Sequence, residues 1–178
     1  MDPALIRRAQ TGDVEAFTAL VAGRVEPMQR TAMAILGHEA DAHDAVSQTL
    51  ATVWRELPRL RDVAAFDAWS TRILVHACRR LLRGRGRARV RELTIDIAEA
   101  GQAVASAGGS TDEVVERLAL ERAFERLDPD ARAILVLHHL QGRGLTEIAA
   151  IFGIRVGTAK SRLYAARRAF ERSLEREQ

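Results

Sequence analysis

The sequence predicts an all-α protein of two small helical domains joined by a flexible linker. Apolar residues make up 47% of the 178 residues, which suffices for real cores, while aromatic residues contribute only 4%. Apolar residues recur at the three- and four-residue spacing of a helix face along most of the chain. A stretch rich in alanine, glycine and serine, 92–111, interrupts this pattern and predicts a linker. We therefore expect an N-terminal domain at 1–91 and a C-terminal domain at 112–178.

The first helices are marked by capping residues. Asp2 and Pro3 form an N-cap and a first-turn proline. Gly12 ends this helix, and Asp13 is predicted to cap the next one. Pro27 interrupts the second pattern, so the sequence leaves open one kinked helix or two separate pieces.

A third helix is predicted at 42–57, capped by Asp41, and Pro58 then opens a loop at 58–65. A fourth long helix begins near Phe66. From Arg79 onward the composition becomes strongly basic, so we expect the helix to end there in a basic tail. That run holds seven arginines and no acid: Arg79, Arg80, Arg83, Arg85, Arg87, Arg89 and Arg91. Cations stabilise a helix C-terminus, but this run is denser than a cap needs and suits nucleic-acid phosphates.

The C-terminal part predicts further capped helices. A helical turn is allowed near 93–100, and the capping box of residues 110–113 begins the next helix. Asp128 with Pro129 caps another helix, which Gly142 closes. These helices are expected to support a final pair.

The last pair has the pattern of two short helices that meet at a tight turn. Thr146 is a plausible N-cap, Gly153 can adopt the positive φ that ends a helix, and the second helix begins near Val156. On a wheel at about 100° per residue, Lys160 lies on one flank of that helix and Arg162 on the other. The outward face carries Thr158, Ser161, Ala165, Arg168 and Arg172. This layout suits a DNA major groove; the alternative is an amphipathic helix with a solvated charged face.

The segment LDPDARAILVLHHLQGRGLTEIAAIFGIRVGTAKSRLYAARRAF resembles the C-terminal DNA-reading domain of bacterial sigma factors, of the extracytoplasmic-function (ECF) group in the sigma-70 family. The resemblance is carried by Glu147-Ile148-Ala149, Gly153 and the run Gly157 to Leu163. It implies that the second helix reads the promoter −35 element through Arg155, Thr158, Lys160, Ser161, Arg162, Arg167 and Arg168. Arg155 and Ala165 depart from the usual family residues, so promoter specificity cannot be copied from a relative.

The N-terminal part resembles the same family, in LIRRAQTGDVEAFTALV and in the helix beginning at Asp41. The resemblance implies that this helix docks on core RNA polymerase through Asp41, Asp44, Gln48, Thr49 and Trp54. His43, Ser47 and Gln48 stand where the family usually has acidic or glutamine side chains, so the docking surface is less acidic than usual.

The loop 58–66 and the helix after it are implied to recognise the −10 element as a single strand. An unstacked base can sit in a pocket while arginines hold the strand's phosphates. The expected residues are Arg59, Arg61, Asp62, Arg72, His76, Arg79, Arg80 and Arg83. His76 and Arg80 depart from the family's frequent Asn and Asp. From the residues alone, an ordinary surface loop with solvated arginines would be the simpler interpretation.

The implied partners are core RNA polymerase, through the clamp of its largest subunit and its flap, promoter DNA, and an anti-sigma factor. The sequence has no carboxylate pair, Ser/His/Asp set or metal-ligand spacing, so we expect neither an enzyme nor a cofactor, a metal or a small-molecule substrate. His138 and His139 are expected to be one packed and one exposed imidazole. Two alternatives stay open: a stand-alone helix-turn-helix regulator, and a helical module that sequesters partners without binding DNA.

Composition limits the remaining possibilities. The net charge of +3 and pI of about 9.9 are compatible with nucleic acid but weak support by themselves. The single cysteine, Cys78, excludes an internal disulfide and is expected to be a small buried residue. Neither a signal peptide nor an apolar run of membrane-spanning length is recognised, so no membrane insertion and a cytoplasmic location are expected.

Overall fold

The computed structural model describes the backbone of residues 2–92 and 111–177, and side chains within 2–85 and 115–177. Regular structure in these ranges is helical throughout, which confirms the all-α prediction. The turn predicted near 93–100 and the capping box of residues 110–113 lie outside the residues whose side chains are described.

Five helices form the N-terminal half and four form the C-terminal half of the described chain. The first five are α1 (Pro3–Gln10), α2 (Val14–Ala22), α3 (Val25–Leu36), α4 (Glu39–Glu56) and α5 (Phe66–Glu92). Between α4 and α5 lie two short 3₁₀ turns, Leu57–Arg59 and Val63–Ala65. The others are α6 (Thr111–Glu125), α7 (Pro129–Leu135), α8 (Leu145–Phe152) and α9 (Val156–Leu174), with a π turn, Val136–Leu140, after α7.

Several predicted caps are confirmed. The Asp2 carboxylate accepts from the amide of Ala4 at 2.8 Å, and Asp13 accepts from Ala16 at 2.9 Å. Gly153 ends α8 with a φ of 65°, as the turn between the last two helices requires. Gly23 and Arg24 separate α2 from α3, so this part of the chain forms two helices and not one kinked helix.

Two predicted caps were wrong. The helix α4 begins at Glu39, so Asp41 lies within its first turn, where its carboxylate pairs with Arg85. The helix α8 begins after Gly144, whose amide donates to the Glu147 carboxylate at 3.0 Å, and Thr146 lies inside the first turn. In both helices an acid stabilises an earlier start, because a negative charge near the N-terminus favours the helix.

The predicted basic tail was also wrong, because α5 continues as a helix through Gly84 and Gly86 to Glu92. Each glycine costs a helix interior only about 1 kcal/mol. In the turns before these glycines, Arg79 and Arg83 both pair with Asp130 of the C-terminal half.

The apolar core of the N-terminal helices continues without a break into the C-terminal helices. Leu74 and Cys78 of α5 share this core with Leu137 and Ile148, and each is at most 1% exposed. Cys78 is buried as predicted, and burial raises the pKa of its thiol to about 12. A second cluster surrounds Phe66 at the start of α5. The halves are thus helical, as predicted, but they pack directly on each other.

Candidate nucleic-acid interface

The helix α9 presents a continuous polar surface opposite its buried stripe. Ala159, Leu163 and Ala166 are at most 5% exposed and hold the helix on the core. The polar side chains predicted to contact DNA are all exposed: Arg155, Thr158, Lys160, Ser161, Arg162, Arg167 and Arg168. Because these side chains are exposed to solvent on one side of the helix, that side has the layout of a helix that enters a major groove.

The cations of α9 differ in their protein partners. Arg168 pairs with Glu171 at 3.0 Å, and Arg162 lies 3.6 Å from Asp130 of α7. Arg167 Nε donates to His139 Nε2 at 3.2 Å. Burial, and then the charge of Arg167, lowers the pKa of His139, so the neutral ring can accept this bond. Among the described residues, no salt bridge involves Lys160.

The histidine pair matches its prediction. His138 is half-buried, with Nδ1 3.0 Å from the carbonyl of Arg143, while His139 is exposed. Within the described ranges, no three His, Cys, Asp or Glu side chains are grouped so that they could hold a metal ion.

The loop before α5 exposes three of the predicted −10 residues. Asp62 accepts from the amide of Ala64 at 2.9 Å and so orders the second 3₁₀ turn. Arg59 pairs with Glu56 at 3.0 Å but its side chain remains 81% exposed, and Arg61 is exposed beside it. The loop is therefore ordered while its guanidinium groups stay accessible to a strand.

A cleft of about 260 Å³ lies between α4 and α5 and contains three more of the predicted −10 residues. Arg72, His76 and Arg80 line it together with Trp69. Arg80 Nη2 donates to the Gln48 side chain at 2.6 Å. An aromatic ring beside cations is a combination that can hold a base and its phosphate.

The remaining two −10 residues face the C-terminal half. Arg79 is only 14% exposed and pairs with Asp130, and Arg83 lies 3.5 Å from the same carboxylate. The structure thus leaves seven of the eight predicted residues exposed, including Arg83 at 56%, and packs only Arg79 closely against α7.

The predicted polymerase-docking helix α4 needs one correction. Asp44 and Gln48 are exposed, and Trp54 is 37% exposed with its ring edge-on to Phe17 at 4.8 Å. Thr49, in contrast, is fully buried and donates to the carbonyl of Ala45 at 2.7 Å. Thr49 is therefore a core residue that a docking partner cannot touch, because the apolar period of the helix places it inward.

Two acids that join the two halves were not predicted as functional residues. Asp130 contacts Arg79, and Asp67 accepts from Arg143 at 2.6 Å. Both acids lie in the first turns of helices, where a carboxylate has an ordinary local explanation. No sequence signal distinguishes that role from a long-range ion pair.

His76 is a titratable side chain in the lining of this cleft. Burial, followed by the charges of Arg79, Arg72 and Arg83, lowers the pKa of His76, with Asp130 opposing weakly. A phosphate bound in the cleft would favour the imidazolium, so binding should take up a proton. We expect affinity for a −10 single-stranded oligonucleotide to rise as pH falls from about 7.5 toward about 6.

A His76→Gln variant should lose this pH dependence, whereas His43→Gln, an exposed histidine outside the cleft, should keep it. Fluorescence anisotropy with a labelled oligonucleotide measures both. Because the pKa of His76 is lowered in the fold, protonation of the unfolded chain destabilises the protein as pH falls through about 6.5. Thermal unfolding at each pH therefore accompanies the titration. An identical pH profile in His76→Gln would contradict the prediction.

Two parts of the chain match family models. Residues 23–88 match sigma-70 region 2, and residues 117–170 match sigma-70 region 4. The chain is 31% identical over 184 residues to the ECF RNA polymerase sigma-E factor of Escherichia coli (strain K12), covering 98% of this chain and 94% of that relative. It is 29% identical over 164 residues to the ECF RNA polymerase sigma factor SigE of Mycolicibacterium smegmatis, covering 88% and 62%.

Solved structures share the fold. CnrH, in complex with the cytosolic domain of CnrY, is 25% identical with a TM-score of 0.67 and covers 99% of both chains. The sigma factor RpoE of Bartonella quintana, in complex with the anti-sigma factor NepR, is 23% identical with a TM-score of 0.66 and covers 91% of this chain and 98% of that one. In the described ranges, no helix has both the length and the hydropathy to cross a bilayer.

Proposed function

The chain belongs to the ECF group of the sigma-70 family, and we propose that it directs transcription from specific promoters by joining core RNA polymerase to two promoter elements. The observation that carries the proposal is the open face of α9, which combines short polar side chains at its centre with cations on both flanks. We assign docking and −10 recognition to 1–91, the connection to 92–111, and −35 recognition to 112–178.

At the −35 element, α9 enters the major groove. Thr158 and Ser161 are short enough to let the helix approach the base edges, and Arg162 can pair with guanine. Lys160 and Arg167 on the flank hold phosphates, which position the helix without reading sequence.

At the −10 element, the loop before α5 and the adjacent cleft hold the single strand. Arg59 and Arg61 are exposed for its phosphates, and Trp69 lines the cleft beside Arg72 and His76. Phosphates supply most of the affinity in such a site, and the pocket supplies selectivity.

The polymerase surface is the exposed side of α4. Asp44, Gln48 and Trp54 are accessible there, and Asp41 is partly accessible beside Arg85. A factor that docks on RNA polymerase acts where the chromosome is transcribed, so we place it in the cytoplasm. As a member of this group it acts as an initiation factor rather than an enzyme, and we propose an anti-sigma protein as its regulator.

In-vitro transcription with purified core polymerase and a randomised promoter pool tests the proposal. We expect transcripts only when both proteins are present, all from promoters that share two sequence elements. Tight binding of the chain alone to one duplex site, with no effect on the polymerase, would instead favour a stand-alone regulator. A chain that gives neither result would contradict both functions.

The two sides of α9 should respond differently to substitution. Arg162→Ala should relax selection at one base of the −35 element by about 1–3 kcal/mol, because it removes a base contact. Lys160→Ala should weaken binding to all −35 sequences alike, because it removes a phosphate contact. It should also lower the slope of log affinity against log salt concentration by about one. A binding matrix measured across a −35 library separates the effects. A change at one base in Lys160→Ala, with none in Arg162→Ala, would reverse the two roles.

A further inference from the structure

Arginines from both predicted DNA surfaces meet at one carboxylate, Asp130, in the first turn of α7. Arg79 Nη2 donates to Asp130 Oδ2 at 2.9 Å, and Arg79 Nε lies 2.6 Å from Oδ1. Arg83 Nη2 lies 3.5 Å from Oδ1, and Arg162 Nη1 lies 3.6 Å from Oδ2. Arg79 and Arg83 belong to the −10 set, whereas Arg162 belongs to the −35 set.

A second ion pair joins the halves, with the acid in the N-terminal half and the arginine in the C-terminal half. Asp67, at the start of α5, accepts from Arg143 Nη1 of the C-terminal half at 2.6 Å and from Arg24 Nη1 at 2.7 Å. Burial alone would raise the pKa of Asp67, but the hydrogen bonds from Arg143 and Arg24 outweigh it and lower that pKa. Asp67 is therefore ionised at neutral pH, and the bridge persists there.

The seam between these bridges is closely packed. The guanidinium of Arg79 lies over the ring of Phe152 at 5.6 Å, and the side chain of Gln141 donates to the hydroxyl of Thr31. A Cβ added at Gly153 would lie 3.3 Å from Arg72 Nη2, so this −10 arginine also faces the turn before α9. The contact thus covers part of the proposed −10 surface.

A promoter requires the two sets of arginines to separate. Elements named −35 and −10 lie about 25 positions apart, or about 85 Å of duplex at about 3.4 Å per step. In this structure Arg79 and Arg162 instead approach the same oxygen atom of Asp130. This arrangement therefore cannot serve both elements at once.

We infer that Asp130 is an autoinhibitory latch that holds the chain closed by occupying arginines that would otherwise bind promoter phosphates. The inference rests on the proposed function, because it assigns regulation of the same DNA-binding surfaces. A carboxylate can replace phosphate here, since guanidinium pairs with both groups in the same bidentate geometry. The closed chain binds DNA more weakly, in proportion to the fraction of molecules that are open.

Energy transfer between dyes on the two halves measures the closed state in the full chain. Val14→Cys and Val115→Cys supply label sites that are 64% and 59% exposed. Cys78 is replaced by alanine in every labelled variant, because it lies in the core that the two halves share and would be exposed to the dyes on opening. We expect Asp130→Asn to lower the transfer efficiency, because three arginines then lose their common acid.

Two further variants separate the latch from general effects of charge and stability. Arg143→Gln breaks the second bridge without touching any proposed DNA contact, and it should also lower the transfer efficiency. Glu121→Gln removes one negative charge from the same half, where Glu121 pairs with Arg117 of its own helix, and should leave the transfer unchanged. If Asp130→Asn no longer unfolds cooperatively, Arg143→Gln decides the result.

Binding to a −35 duplex in the absence of polymerase gives the second measurement. Asp130→Asn should bind about tenfold more tightly than the unsubstituted chain, because a larger fraction of molecules is competent, whereas Glu121→Gln should not. Unchanged transfer in both bridge variants, an equal fall in Glu121→Gln, or opening with no gain in affinity would each overturn the latch. A chain that opens as expected but never supports transcription would contradict only the proposed function.

Discussion

Reversing the charge at Asp44 should reduce polymerase-dependent transcription by at least about 30-fold, which corresponds to about 2 kcal/mol of docking free energy. Asp44 is exposed on α4, and an arginine there would place a like charge against any cationic group of the polymerase that now meets the acid. Such juxtaposition costs several kcal/mol at an interface. In-vitro transcription measures the loss, and excess core polymerase should partly restore activity because the defect is in binding.

Glu39→Arg is the matched control for Asp44→Arg. Both acids are exposed on α4, and five residues place them about 140° apart around the helix at about 100° per residue. The same change of charge at Glu39 should therefore leave docking largely intact. Binding of both variants to −35 duplex should equal that of the unsubstituted chain. Full activity of Asp44→Arg at limiting polymerase would remove α4 from the docking surface.

Truncation of Phe66 should lower the free energy of unfolding by about 3–5 kcal/mol, the usual cost of replacing a buried phenylalanine with alanine. Phe66 is fully buried at the junction of the −10 loop and α5, and the guanidinium of Arg24 lies 5.1 Å from its ring centroid. The loss is large against the about 5–15 kcal/mol that stabilises a typical domain. Urea unfolding followed by circular dichroism measures it.

The exposed aromatic residue Tyr164 provides the control for this truncation. Its side chain is 67% exposed on α9, so Tyr164→Ala should change stability by no more than about 0.5 kcal/mol. Phe66→Ala should also weaken binding of a −10 oligonucleotide, because Phe66 anchors the end of the loop that carries Arg59 and Arg61. Equal stability of the two variants would mean that the Phe66 cluster does not support the fold.

Most helices could be predicted because their signals are local. An N-cap such as Asp13 acts on amides within one turn, and a glycine such as Gly153 acts through its own backbone conformation. The errors arose where two local signals competed. Asp41 and Thr146 can both cap a helix, but acids and glycine nearby favoured earlier starts. The charge of the basic stretch after Arg79 predicts a tail, whereas the backbone of α5 continues as a helix to Glu92.

In the candidate site, too, some residues could be placed from local sequence patterns and others could not. The exposed face of α9 follows from its apolar period, so six of its predicted DNA-contacting residues could be placed from sequence, whereas Arg155, which precedes the helix, came from the family resemblance. The apolar period of α4 also predicts that Thr49 is buried, but the family resemblance placed Thr49 among the docking residues. The cleft around His76 needed two helices to be placed side by side, which no periodicity specifies.

The helical segments, their order and the chemistry of the recognition helix follow from the amino-acid sequence, because capping and periodicity operate within a few residues. The shared core of the two halves, and the contact of Asp130 with Arg79, 51 residues away, and with Arg162, are visible only once the helices are packed. An ion pair between distant residues can form only after whole helices have packed, and the burial of many apolar side chains brings those helices together before the pair can stabilise their arrangement.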